Sequence, residues 1–334
     1  MNFKLRKIRP VWDYRPAQAS IAPRRLKEGE RVALVSPASP YRRAGVEDGA
    51  RILRKRGLLP VFGKCSRRDR LKGLYSTTIE ERVEELNWAF TDDSISGIFC
   101  TTGGVGSAQL LPYLPYSVIR RQPKVFVGSS DITALNNGIW AKTGVTTFNG
   151  ELIQIRPGKN QKRDDARAIR DMVDLLKTSR TWGARPFKRN PYEPECIHPG
   201  ETEGVVLGGN LSVLTSLLGT PYFPPAKGSI LFLEDQEITT VEFVRMLTQM
   251  EMAGVFDRVN GIVLGSFVNV PNHSDSVDPT IDEAIRSIFP EIGLPCVYGY
   301  NFSHDAINAV LPIGGTCRLD ADACTVAFDA PLVR

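Results

Sequence analysis

The chain has no apolar run approaching the ~18 residues that a bilayer-spanning helix needs, which excludes a transmembrane helix. Its opening segment, 1–16, is basic but holds no apolar stretch of the kind a secretory signal requires, so a cytoplasmic protein is expected. None of the six cysteines (Cys65, Cys100, Cys196, Cys296, Cys317, Cys324) forms a CxxC pair. Several sit inside apolar runs, as Cys100 does after Gly97-Ile98-Phe99. They read as reduced core residues, not as disulfide staples or metal ligands. There is no internal repeat and no low-complexity segment. Histidine is scarce: only His198, His273 and His304 are present. The net charge of +5 is modest and concentrated early, in Arg24-Arg25, Arg42-Arg43 and Arg67-Arg68-Asp69-Arg70. Without a dense basic face interleaved with aromatics, those arginines read as solvated surface, and nucleic acid is not an expected partner.

What is present is an ordinary globular composition, 42% hydrophobic and 24% charged. A length of 334 residues allows two domains, since single cores stop growing near about 250–300. Residues 1–27, rich in Pro and Arg and without periodicity, read as an extended arm. Buried strands are expected at 31–35, 59–62, 95–100 and 125–127, with helices at 46–56, 77–90 and 164–177 between or after them. Alternating strands and helices over 28–180 predict a parallel sheet covered on both faces, with ligands beyond its carboxyl ends. Residues 179–203 look irregular, and 181–203 serves as the expected linker. From 204 to 334 a second pattern follows: strands at 204–210, 229–233 and 261–267, helices at 211–218 and 241–253, and short strands toward the end. That predicts a smaller, mixed β-rich domain. Met246, Met250 and Met252 read as helix core, and Glu80-Glu81 with Glu84-Glu85 as a solvated helix face.

The chemistry-bearing positions lie at strand ends. Val125-Phe126-Val127 runs into Gly128-Ser129-Ser130-Asp131, and a helix-compatible segment follows. A sharp strand-to-helix turn lifts Ser130 out of the sheet and aims the first free helical N–H groups at whatever it attacks. The same turn could simply use Ser or Asp as an N-cap. Gly103-Gly104-Val105-Gly106 follows the third strand. It lacks the Lys-Ser/Thr of a P-loop, so its glycines point instead to close backbone approach to a reacting carbonyl. Glu234 and Asp235 follow Ile230-Leu231-Phe232-Leu233, and His304 sits in the polar stretch Asn301–Asp305. A base titrating near neutrality, steadied by a carboxylate, completes a Ser/acid/His set in that chain order. Alternatively, Glu234 is a surface carboxylate and His304 a capped loop residue. Ile132 stands where the Gly-x-Ser-x-Gly elbow needs glycine, so an α/β-hydrolase fold fits poorly.

The ordered motifs Val127-Gly-Ser-Ser-Asp-Ile-Thr-Ala-Leu135, Leu207-Gly-Gly-Asn-Leu-Ser-Val-Leu214, Leu231-Phe-Leu-Glu-Asp235 and His304-x(3)-Asn308-x(2)-Leu-Pro-Ile-Gly314, preceded by the Gly-Gly strand end, resemble the LD-carboxypeptidase family of serine peptidases. That family includes murein tetrapeptide carboxypeptidases and microcin C immunity-type peptidases, and the likeness spans about 28–330. The resemblance implies a flavodoxin-like N-terminal domain, a smaller swivelling β/α C-terminal domain, an active site between them and a homodimer. It further implies Ser130 as nucleophile, His304 as general base, Glu234 as the orienting acid, and the N–H groups of Gly104 and Asp131 as the oxyanion hole, with no metal and no cofactor. The implied substrate is a small peptide or muropeptide. Thr102-Gly-Gly-Val-Gly106 departs from the Arg-Gly-Gly-Tyr-Gly of murein-cleaving members. Ser303 replaces a glycine common before the His, and Asn149-Gly150-Glu151 replaces a His-Gly-Pro-like stretch. These departures leave open a peptidyl-nucleotide or other modified-peptide substrate; a non-catalytic peptide-binding protein is a separate alternative, against which the intact Ser130, Glu234 and His304 argue.

Overall fold

Strand ends from two sheets converge on one cleft, and the local sequence explains how they reach it. The computed structural model describes residues 20–67, 73–188, 190–270, 279–304 and 308–334. The first half runs β1 (Arg31–Val35), α1 (Arg43–Lys55), β2 (Leu59–Phe62), α2 (Ile79–Thr91), β3 (Ile95–Cys100), α3 (Tyr116–Arg121), β4 (Val125–Val127), α4 (Thr133–Thr143), β5 (Thr147–Asn149) and α5 (Lys159–Leu176). The second half runs β6 (Glu195–His198), β7 (Glu201–Asn210), α6 (Leu211–Ser216), β8 (Ser229–Gln236), α7 (Thr240–Met252), β9 (Gly261–Val268), α8 (Ile281–Ile292), β10 (Cys296–Tyr300), β11 (Leu311–Ile313), β12 (Thr316–Asp320) and β13 (Thr325–Ala327).

The first sheet has the order β11-β5-β4-β3-β1-β2, parallel except for the antiparallel β11. Its central strands are short and apolar, because helices cover both faces and leave no polar side to alternate with. The second sheet, β13-β12-β7-β8-β9-β10-β6, has a parallel centre of β7 to β10 and antiparallel strands toward both edges. This is the expected α/β architecture of a parallel sheet followed by a mixed one.

Helix starts follow local chemistry. Thr78 caps α2 by accepting the Glu81 N–H, while Thr239 with Glu242 and Thr280 with Glu283 form capping boxes on α7 and α8. On α1, Gly45 and Gly49 stand one turn apart and face residues 153–155. A Cβ on Gly49 would lie 2.0 Å from the Ile153 carbonyl oxygen, so the absent side chains let that segment lie against the helix. One apolar cluster joins the two halves: Phe148 lies tilted against Trp182, Trp182 meets Phe328 edge-on, and Phe187 meets Tyr300.

Several expectations are corrected. The 179–203 stretch carries β6, which pairs with β10. Glu85 is 2% exposed, not solvated; it accepts the N–H groups of Ser36, Cys65 and Ser66, and burial pushes its carboxyl up to about 7. Met252 is exposed, while Met250 is buried. Of the arm, residues 1–19 lie outside the described residues; Ile21 bridges to Val145 and Leu26 is buried. All six cysteines are free, four of them buried, with Cys324 partly buried and Cys196 exposed. No described helix is long and apolar enough to cross a membrane.

Candidate active site

The turn after β4 holds Ser130 in an unusual backbone state. Its φ is +60°, in the left-handed region that side chains rarely occupy, at the start of a 3-10 turn that leads into α4. The turn closes because residue 128 is glycine: a Cβ there would lie 2.7 Å from Ile132 Cγ2 and 3.0 Å from Cys100 Cβ. Asn136 Nδ2 donates to the Gly128 carbonyl at 2.8 Å and fixes the strand end to the helix. The elbow conformation is thus present although Ile132 replaces the second glycine of the usual motif. Asp131 is buried behind Ser130. Its carboxylate accepts the Ser107 N–H at 2.8 Å and its carbonyl accepts the Ser107 hydroxyl at 2.6 Å. Burial raises the Asp131 carboxyl above its ordinary range despite those bonds.

The loop after β3 approaches Ser130 as closely as backbone can. A Cβ on Gly103 would lie 2.7 Å from Ser130 Cβ and 2.9 Å from its Oγ. Gly104 has φ +103°, and a Cβ on it would fall 2.2 Å from Ser39 Oγ. Ser39 ties the loop down: its N–H donates to the Gly103 carbonyl at 3.1 Å, and its hydroxyl accepts the Val105 N–H at 3.0 Å. Arg82, 1% exposed, supports the loop from below. It donates to the carbonyls of Pro37 at 2.9 Å and Gly106 at 3.0 Å and to Gln109 Oε1 at 2.9 Å, with its guanidinium 4.8 Å from the Tyr75 ring centre. Neither Ser39 nor Arg82 stands in a motif, so no sequence signal marked them.

The second sheet brings a carboxylate and an imidazole to the same cleft. Glu234, near the end of β8, is 2% exposed, and its Oε2 lies 2.8 Å from His304 Nδ1. That contact places the proton of a neutral imidazole on Nδ1 and leaves Nε2 as the acceptor. Nε2 is buried and has no partner among the described residues. Asp235 cannot substitute for Glu234. Successive strand residues point to opposite faces, and Asp235 accepts from Asn210 Nδ2 at 2.7 Å and from the Ser212 N–H and hydroxyl at 2.8 and 2.6 Å. Burial disfavours the His304 imidazolium, but the charge and hydrogen bond of Glu234 outweigh it. The His304 pKa therefore lies above its ordinary value. From the first half of the chain, Arg156 Nη1 donates to the His304 carbonyl at 3.0 Å. Arg156 is itself clamped by Asp165, whose carboxylate takes its N–H at 2.7 Å and its Nη2 at 2.7 Å and is fully buried.

Ser130, Gly104, Glu234 and His304 all line one cavity of about 240 Å³, together with Ser39, Gly103, Glu151 and Arg156. Asp131 is not among its lining residues; its buried carboxylate accepts the Ser107 N–H. His198 lies on β6, its ring nitrogen bonded to the Pro199 carbonyl, and His273 lies outside the described residues. Glu151 and Arg156 carried no catalytic motif; only the replacement of a His-Gly-Pro-like stretch drew attention to position 151. The arrangement can activate a hydroxyl, stabilise an oxyanion with backbone donors and carry a proton on a steadied imidazole.

Comparison with known proteins finds relatives that span most of the chain. Residues 32–150 match the LD-carboxypeptidase N-terminal domain, and residues 203–319 match the LD-carboxypeptidase C-terminal domain. The chain is 32% identical to the putative carboxypeptidase YocD of Bacillus subtilis, covering 89% of this chain and 95% of that one. It is 28% identical to the probable murein peptide carboxypeptidase of the same organism, covering 92% and 94%. Among solved structures, microcin C7 self-immunity protein MccF in its wild-type apo state superposes with a TM-score of 0.81 at 25% identity, covering 94% of this chain and 100% of that one.

Proposed function

The chain belongs to the LD-carboxypeptidase family, and from that premise we propose that it is a serine carboxypeptidase that releases terminal D-alanine from muropeptide tetrapeptides by cleaving an L,D-amide bond. The single observation that carries the reading is the shared cavity: Ser130, strained and from one half, and a Glu234-bound His304 from the other both line it. In this mechanism Ser130 Oγ attacks the carbonyl while His304 Nε2 takes its proton, and Glu234 stabilises the imidazolium that forms. The oxyanion falls to the N–H groups of Gly104 and Asp131. His304 then protonates the departing amine of D-alanine. A water molecule, activated the same way, frees the acyl group from Ser130. The reaction belongs to cell-wall recycling in the cytoplasm, by a homodimer that needs neither metal nor cofactor. Ser130→Ala should lower D-alanine release from a muropeptide tetrapeptide by at least a few hundredfold; near-wild-type turnover contradicts the reading.

A second reading is kept by one observation. Thr102 and Val105 stand where murein-cleaving members carry Arg and Tyr, and the fold is shared with MccF. On that reading the substrate is a peptidyl-nucleotide or another modified peptide. Rates measured side by side on a tetrapeptide and on an aminoacyl sulfamoyl adenosine separate the two.

A further inference from the structure

The two N–H groups proposed for the oxyanion sit on different strand ends, and the β3–β4 ladder stops short of both. Gly104 follows β3 and Asp131 follows β4, but the last pair between those strands is Phe99 with Val127. Past that point the chain after β3 turns to other partners. The Thr101 N–H donates to the Val35 carbonyl at 2.8 Å, and the Thr101 carbonyl accepts the Gln154 N–H at 2.9 Å. A misplacement of about 1 Å at a reacting centre can cost about 10²-fold in rate, so the spacing of the two donors needs its own restraint.

Ser107 and the Asp131 side chain supply one. A 3-10 segment, Ser107–Tyr113, starts in the loop that carries Gly104, and its N-cap is Gly106, which has no side chain to accept a free N–H. The Asp131 carboxylate does so instead, taking the Ser107 N–H at 2.8 Å, while the Ser107 hydroxyl donates to the Asp131 carbonyl at 2.6 Å. Main chain and side chain of each residue are thus engaged with the other. Both residues are buried, Ser107 completely, which strengthens the pair of bonds. Gly106 is hemmed in as well: a Cβ there would lie 2.6 Å from Tyr75 Cδ1 and 2.8 Å from Arg82 Nη1.

We propose that Ser107 and the Asp131 carboxylate are positioning residues that fix the gap between the two oxyanion donors, the N–H groups of Gly104 and Asp131. This rests on the carboxypeptidase reading above, which puts the oxyanion at those two groups. Ser107 does not line the cavity, and the Asp131 carboxylate is turned to the Ser107 N–H, so both side chains act through the loop. Asp131 then serves twice. Its N–H meets the oxyanion, and its carboxylate holds the strand end that carries the other donor. Losing the tie weakens binding of the tetrahedral state and spares the ground state, whose carbonyl oxygen carries little charge.

The test measures kcat and KM on a muropeptide tetrapeptide, the Kd of the tripeptide product and the Ki of the matching tripeptide boronate. The boron of that probe accepts Ser130 Oγ, the hydroxyl proton passing to His304, and becomes a tetrahedral anion. Asp131→Ala should lower kcat by about 10²–10³ and raise the boronate Ki by a comparable factor, with KM and product Kd within about threefold of wild type. Asp131→Asn keeps an acceptor for the Ser107 N–H and should recover kcat to within about tenfold of wild type. Ser107→Ala loses only the hydroxyl bond and should lower kcat by about tenfold at unchanged KM, a readout that stands even if Asp131→Ala does not fold. Wild-type kcat in Ser107→Ala, an Asn variant as impaired as the Ala variant, or losses shared equally by boronate and product overturn the assignment and leave the carboxypeptidase reading intact. No D-alanine release by wild type removes both.

Discussion

Gly103 shows how tightly the chemistry is drawn at single positions. Its missing side chain is the space that Ser130 occupies, since a Cβ would sit 2.7 Å from Ser130 Cβ. Gly103→Ala should therefore displace the serine from the donors of its oxyanion and lower kcat by about 10²–10³, the range seen when one oxyanion donor is lost, with KM less affected. Steady-state kinetics on the tetrapeptide reads this directly. The pH profile is set by His304. Catalysis needs the neutral imidazole, so activity rises with pH as His304 loses its proton, and its raised pKa puts that acid limb above the ordinary histidine value. Glu234→Gln removes the interactions that outweigh burial. The limb should then move to lower pH while kcat falls by about 10²–10⁴. A limb that stays in place would show that Glu234 does not govern the base. Ser130, Glu234 and His304 were all legible as residues, because a small-residue turn, a strand-delivered carboxylate and a scarce histidine each leave a sequence trace. Arg156 and Arg82 were not, since their roles come from contacts with residues set apart in the sequence.

At the scale of elements, α1 and the segment after β5 work as a pair. Gly45 and Gly49 admit residues 153–155 against the helix, and that segment carries Gln154 and Arg156 to the cavity. Gly49→Ala drives a methyl group into the Ile153 carbonyl. It should cost about 1–3 kcal/mol by overpacking, measured as a lower denaturation midpoint with an unchanged m-value. Arg156 then extends the support across the cleft to the His304 carbonyl. Burial lowers the His304 pKa, Glu234 more than offsets this, and the Arg156 charge pulls weakly downward. Arg156→Gln should therefore lower kcat and shift the acid limb upward, whereas Arg156→Lys keeps the charge and leaves the limb in place. Most strands and helices were readable from periodicity, yet several elements were not. β5 has three residues, too few to show a pattern, and Gly299 interrupts β10. α8 was legible in principle, because Thr280 and Glu283 form a capping box ahead of Ile281, Ile285 and Phe289. Glu85 was misread because a helix-face pattern cannot reveal the three backbone N–H groups that surround one of its carboxylates.

Across the whole molecule, the halves that carry nucleophile and base are not loosely tethered. β11, from the second half of the chain, pairs with β5 of the first sheet, and a Cβ on Gly314 just beyond it would overlap the Trp140 ring. A common apolar cluster runs through Phe148, Trp182, Phe187, Tyr300 and Phe328. The alternation of strands and helices announced two layered units, but nothing in a local pattern could announce a strand exchanged between their sheets. Such joining ties the elements that carry Ser130 and His304 into one folded core. The most direct measurement is a double-mutant cycle on kcat/KM with Ser130→Ala, His304→Ala and the two combined. If hydroxyl and imidazole act as one proton-relay unit, the combined variant should be no worse than Ser130→Ala within a few-fold. Losses that multiply across the two substitutions would mean that the groups act separately.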